Sequence, residues 1–322
     1  GLGRARVLSG AAMAAPCAPA ARGSRCAAMN QDEIVHALET PVPRFPTKAV
    51  ALATEDRDLA VGAARAVLVH SVEIAEAGAL PRPQEGDLGG IDPAESFGAI
   101  HACFLVRWHD ATEAEPELAR IAQLSETQLE AVFGDYMHEC LPHAFVALPP
   151  ATLSGWLDDA KSPSVKSALA TALAIHALQG RHDRHALRER LRAELDATRE
   201  RFASLEGQAH EQALLELGYL AYPLLAVSLR DEVDELRALY DAGPLAEALQ
   251  GILHASDFER LPTEEADLGE WAELTPLAKT DPRAVATHLV YGWLPPKKKA
   301  DAPASKSGKL KKKKPKKKKK KR

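Results

Sequence analysis

Residues 159–180, DAKSPSVKSALATALAIHALQG, carry the clearest structural signal in the chain. Counting Val165 as zero, Ala168, Leu169, Ala172, Leu173 and His176 fall on the steps that an α-helix brings to one buried face. Ser162 or Ser164 can cap the start, and Pro163 fits the first turn, where its missing donor costs nothing. The opposite side holds Ala170 and Ala174 instead of charges, so a second neighbouring backbone can approach there. A helix with small residues behind its main face belongs inside a stack, with His176 in the packing.

Downstream, residues 184–202 set Leu187, Leu191, Leu195, Thr198 and Phe202 in a narrow stripe among arginines and glutamates. That is the pattern of an outer helix with one wet face. Residues 208–222 are apolar on most sides, and Pro223 is expected to end or kink that helix. Inner and outer elements therefore alternate. A short helix over 233–240 stops at Gly243-Pro244, and helices over 245–254, 268–274 and 283–294 lead to Pro295-Pro296. Upstream, helices are expected over 32–39, 47–53 and 58–77, with Pro41, Pro43 and Pro46 enforcing an extended break after the first. Residues 81–93 read as a loop. Its glycines lack the strand-then-helix setting of a phosphate-binding loop. Helices over 95–109, 118–124, 127–137, 140–148 and 153–158 complete the series.

With no convincing strand and about 20 residues per helix and turn, the spacing suits an array of helical pairs of about 40 residues each. The expected fold is all-α, an α-solenoid of HEAT-like antiparallel helix pairs. Such repeats need neighbours, because one pair cannot cover its own apolar face. The 322 residues are 46% apolar, enough for a substantial core, and the 5% aromatic content and sparse β-branched residues agree with helices.

The run from Phe45-Pro46 through Glu95-Ser96-Phe97 and Leu141-Pro142 to Gly243 resembles the uncharacterised, mainly bacterial family catalogued as domain of unknown function 1186. The similarity covers most of residues 30–255. It implies a HEAT-like helical fold without an assigned activity, so no functional residues carry over. Some relatives in that family have a cysteine-rich zinc motif after the domain. Here that region has no cysteine and ends in lysines.

The formal charge of -4 conceals a division. Residues 297–322 hold 15 lysines and one arginine against Asp301, which is +15, and residues 1–28 hold four arginines and no acid. Removing those cations and that one acid from the totals of 41 and 45 leaves 21 basic against 44 acidic groups over residues 29–296, or -23. Three segments follow. Residues 1–28 read as a disordered extension upstream of a true start at Met29 or Met13, 29–296 as the helical domain, and 297–322 as a disordered lysine-rich tail. Lys311, Lys312, Lys313, Lys314, Lys316, Lys317, Lys318, Lys319, Lys320, Lys321 and Arg322 are the candidate polyanion-binding residues. No aromatic is interleaved to stack bases, so nucleic-acid binding through them is expected to ignore sequence. A solubility appendage, and a tail folded back on the acidic body, are the alternatives.

The catalytic signals are thin. His138 and His143 are five apart with Pro142 between them, not the four of a zinc-protease helix. His182 and His185 are three apart at a helix start, His101 with Cys103 and His109-Asp110 are the other pairs available to a nucleophile and base, and no G-x-S-x-G elbow occurs. A non-enzymatic interaction scaffold without a cofactor, its protein partner unknown, is the expected function. A metal-dependent or His/Cys-based enzyme using His101, His138 and His143 is the alternative. Of the four cysteines, Cys17 and Cys26 lie in the N-terminal extension, while Cys103 and Cys140 sit in apolar helical surroundings. With no C-x-x-C pair these read as reduced thiols of a cytoplasmic protein. The longest uncharged apolar run, 217–229, is too short for a membrane span.

Overall fold

A computed structural model describes residues 29–39, 47–78, 93–202, 204–242, 246, 249–250 and 253–267. Among these there are thirteen α-helices and no strand, so the chain is all-α. The first four are α1 (Gln31–Glu39), α2 (Thr47–Glu55), α3 (Arg57–Ala77) and α4 (Pro93–Trp108). Next come α5 (Glu115–Ile121), α6 (Glu126–Phe133), α7 (Met137–Phe145), α8 (Pro150–Asp159) and α9 (Pro163–Leu178). The series ends with α10 (Arg184–Phe202), α11 (Gly207–Ala226), α12 (Asp234–Asp241) and α13 (Ala255–Arg260).

Local chemistry sets most of the boundaries. Asn30 and Glu33 exchange two 2.9 Å hydrogen bonds at the start of α1, and Asp56 Oδ1 accepts from the Leu59 amide to cap α3. Gly78, at φ 64°, lets the chain leave α3 in the left-handed region that a side chain resists. Ser125 and Gln128 form a capping box on α6, and Ser162 accepts from the Val165 amide to open α9, with Pro163 in its first turn.

The helix expected over 153–158 starts earlier, at Pro150, α13 has no counterpart among the expected helices, and three further boundaries depart from the sequence-based expectation. A single helix over 127–137 is broken at Gly134, whose φ of 53° ends α6. A 3-10 turn over Gly134–Tyr136 then leads into α7, which starts at Met137 instead of Cys140. The helix placed over 118–124 begins earlier, at Glu115, where Pro116 and two glutamates favour a first turn. Pro223 does not end α11. It sits in the last turn, where the missing donor costs one hydrogen bond, and the helix runs on to Ala226. The expected 81–93 loop (apart from Pro93, which opens α4), most of 245–254, helices 268–274 and 283–294, Cys17, Cys26 and both charged termini lie outside the described residues.

The helices pack in a row. α3 lies against α4, α4 against α7, α7 against α9, and α9 against α11, while α8 and α10 flank α9 and α10 also covers α11. α9 packs against α7, α8, α10 and α11 and is buried on nearly every side. Ala170 and Ala174 are as inaccessible as Leu169 and Leu173, all at 0% exposure, because helices press on both faces. α10 differs. It buries only Leu187, Leu191, Leu195, Thr198 and Phe202, the stripe its sequence marks. Each leucine so buried contributes about 1.5–3 kcal/mol. At the other end Gly98 of α4 lets α1 and α3 come close, since a Cβ there would sit 3.3 Å from side-chain atoms of both Glu39 and Val67.

Candidate functional site

The histidines singled out by sequence are placed separately. His101, on α4, is 2% exposed. Burial, only partly opposed by a hydrogen bond to the Leu38 backbone, pushes its pKa down to about 4. Cys103 is buried two residues further on, so the two side chains leave the helix in different directions. The Cys103 thiol instead hydrogen-bonds Cys140 of α7, and burial raises the Cys140 pKa well above the usual thiol range. A buried, protonated thiol is a poor nucleophile.

His138 and His143 share α7 but face different neighbours. His138 Nε2 lies 3.2 Å from the Tyr219 hydroxyl of α11, with the rings 4.7 Å apart. His143 is buried against Phe104 of α4, and burial plus the nearby Arg107 charge holds its pKa at about 4. His176 is buried in α9 with Nε2 3.0 Å from the Leu148 carbonyl, while its buried Nδ1 has no hydrogen-bond partner among the described residues. His109 Nε2 lies 2.6 Å from the Ala53 carbonyl at the end of α2, while Asp110 pairs with Arg107. His182 precedes α10, and His185, in its first turn, faces Arg188. Among the described residues, no three His, Cys, Asp or Glu side chains converge as metal ligands would. The eleven tail residues from Lys311 to Arg322 lie outside the described part of the chain.

What the sequence does not mark is a charged cleft on the far side of α10. Glu232, in a 3-10 turn over Arg230–Glu232, receives Arg184 Nη1 at 3.0 Å, a second contact from Arg188, and the Leu229 amide at 2.7 Å. Partial burial by itself would raise the pKa of this carboxyl. The Leu229 hydrogen bond and the two guanidinium groups outweigh that and bring it down to about 2. Arg184 also holds Glu265, so one residue of α10 ties together two later segments. Next to this junction a cleft of about 390 Å³ opens between α10 and the start of α12. Arg188 and Arg192 form one wall, Asp231, Asp234 and Glu235 the other, and leucines that include Leu195 and Leu236 the floor.

No family model matches the chain, and no curated protein or solved structure matches it.

Arg184 and Arg188 are one helical turn apart, the only local hint of this site in the sequence. Their carboxylate lies 48 and 44 residues away. Replacing Glu232 with Ala takes the shared carboxylate from two poorly exposed guanidinium groups, leaving Arg184 with Glu265 and the Val227 carbonyl and Arg188 with Glu189. The expected cost is about 2–3 kcal/mol, or roughly 5–10 °C in Tm, against less than about 1 kcal/mol for Glu235→Ala. Because the Glu232 pKa is depressed, its contribution is fully present above about pH 4.5 and is lost as pH falls toward 2. Thermal melts of both variants at pH 7 and of Glu232→Ala at pH 3 check both statements.

Proposed function

We propose that the chain is a non-enzymatic α-solenoid of HEAT-like helix pairs, acting in the cytoplasm as an interaction scaffold. Its lysine tail adds sequence-independent affinity for nucleic acid or another polyanion. The observation that supports the scaffold is the row α4, α7, α9, α11, each helix packed on the next, with α3, α8 and α10 along it. A row of this kind grows by nearest-neighbour packing and presents long helical surfaces instead of one enclosed pocket. The resemblance to the family of domain of unknown function 1186 belongs to the same proposal, since it too implies a helical fold without an assigned activity. No helix among the described residues is long and apolar enough to cross a membrane.

The tail supplies the second half of the proposal through charge alone. Sixteen cationic groups in 26 residues beside a strongly acidic body attract a phosphate backbone and carry no base-reading group. The test is binding of a labelled single-stranded oligonucleotide of mixed sequence to the full chain and to a chain ending at Pro296. The full chain should bind at about 50 mM salt and weaken roughly 300-fold by about 200 mM if six phosphates are neutralised. The shortened chain should not bind. Equal binding by the two chains, or none by either, refutes the tail's role.

A further inference from the structure

We propose that Cys103 and Cys140 form a redox pair, which hydrogen peroxide joins in a disulfide that staples α4 to α7 and which a thiol reductant opens again. Cys103 belongs to α4 and Cys140 to α7, two helices packed directly on each other. Both side chains are completely buried, and both are free thiols. Their sulfurs share a hydrogen bond, so the two atoms to be joined are already neighbours. These are the two cysteines of the described residues, and they meet although residues 104–139 lie between them. Two cysteines used only as small apolar side chains have no reason to touch.

The surroundings favour a disulfide over the other uses of paired thiols. Among the described residues, no third His, Cys, Asp or Glu completes a metal-binding group with the two sulfurs, so the four-ligand cage of a structural zinc site is not built here. A catalytic thiol needs an accessible, ionised sulfur, and burial raises the Cys140 pKa instead. What the contact does supply is a second thiol beside whichever one is oxidised first.

The reaction balances with peroxide as its only oxidant. During a transient opening of the core, one sulfur attacks a peroxide oxygen as the thiolate. The O–O bond breaks, an S–O bond forms, and the departing hydroxide takes up the proton that the thiol gave up. On closing, the second sulfur attacks the sulfur of this sulfenic acid. The S–O bond breaks, the S–S bond forms, and the hydroxyl leaves as water with the second thiol's proton. Two thiols are oxidised, one peroxide is reduced and two waters result. Burial makes the first step slow, because peroxide waits for an opening. The second is fast, because the partner thiol captures the sulfenic acid before more peroxide arrives.

Once formed, the bond holds the row of helices together at the α4–α7 link and stabilises the fold chiefly by restricting the unfolded chain. The pair works in this way whether or not the chain is a scaffold.

The test uses the full chain carrying C17S/C26S, so that the pair holds its only thiols. Folded protein is treated with hydrogen peroxide, then unfolded in guanidinium chloride with N-ethylmaleimide and weighed. Reduced protein should take up two maleimides. Oxidised protein should take up none, regain both after dithiothreitol, and yield a Cys103–Cys140 peptide in a non-reducing digest. Its Tm should rise by about 5–15 °C, and dithiothreitol should reverse the rise. The same chain with C103A/C140A, which keeps a small apolar side chain at each place, should show no peroxide-dependent rise. Two maleimides still taken up after peroxide, oxygen added without a cross-link, or a cross-link between two chains overturns the proposal. So does a Tm that fails to rise on cross-linking, or an equal rise in the C103A/C140A chain.

Discussion

Acidifying the protein from pH 7 to pH 4 is expected to remove several kcal/mol of stability, with most of the loss between pH 6.5 and pH 4. Three histidines carry this effect. His101 and His143 on α4 and α7 and His176 on α9 are each at most 5% exposed, and each has its pKa lowered to about 4. Burial is the first cause in all three. At His176 the Arg181 and Arg107 charges add to it against the Leu148 hydrogen bond, and at His143 Arg107 adds to it. In the unfolded chain the same imidazoles titrate near 6.5, so protons bind the unfolded state first as pH falls. Their contribution is therefore intact above about pH 6.5 and is lost on the way down to 4, up to about 3 kcal/mol for each. Set against a total of about 5–15 kcal/mol for a folded domain, that is enough to unfold it. Urea midpoints at pH 7.5, 6, 5 and 4.5 check the prediction, and His101→Asn should reduce the pH dependence by about a third. A midpoint that does not move over this range would overturn it.

The second large effect belongs to α9. Leu173→Ala should cost about 2–5 kcal/mol, because the side chain is fully enclosed and the neighbours on two faces limit collapse into the cavity. Ala174→Leu, on the other side of the same helix, should cost about 1–3 kcal/mol by overpacking, although it adds apolar bulk and keeps helix propensity. On a helix with one exposed face the second substitution would be harmless. Thermal melts of the two variants therefore test whether α9 is packed on both faces. A matched control is Ala193→Leu, on the exposed side of α10, which should change Tm by less than about 3 °C.

Much of the helical layout was legible in the sequence, and the reason differs between elements. The α9 pattern announced a buried helix because Ala170 and Ala174 stand where a surface helix carries charges, and both are buried. The α10 stripe gave its buried residues one for one. The departures arose where one residue outweighs periodicity. Gly134 ends α6 within a stretch whose apolar spacing runs on into α7, and Pro223 lies too near the end of α11 to break it.

The site was far less legible. Candidate pairs drawn from sequence neighbours, such as His101 with Cys103, point apart, whereas the partners that meet are distant. His138 meets Tyr219 across 81 positions, Arg184 meets Glu265 across 81, and Cys103 meets Cys140 across the α4 and α7 contact. The arginines of α10 looked like a solvated face, and half of that face is the wall of a cleft that exists only once the residues before α12 have folded against it.

The sequence by itself determined that the described chain is helical, which faces of α9 and α10 are buried, and that a polycation follows an acidic body. Those properties depend on the 3.6-residue period, on helix propensity and on formal charge, all of which are local or additive. Only the tertiary structure decided which charges neutralise one another. Arg188 and Glu232 are joined while Asp231 and Asp234 have no cationic partner among the described residues, because a charge pair depends on a separation of a few ångströms between residues that only the packing of helices brings together.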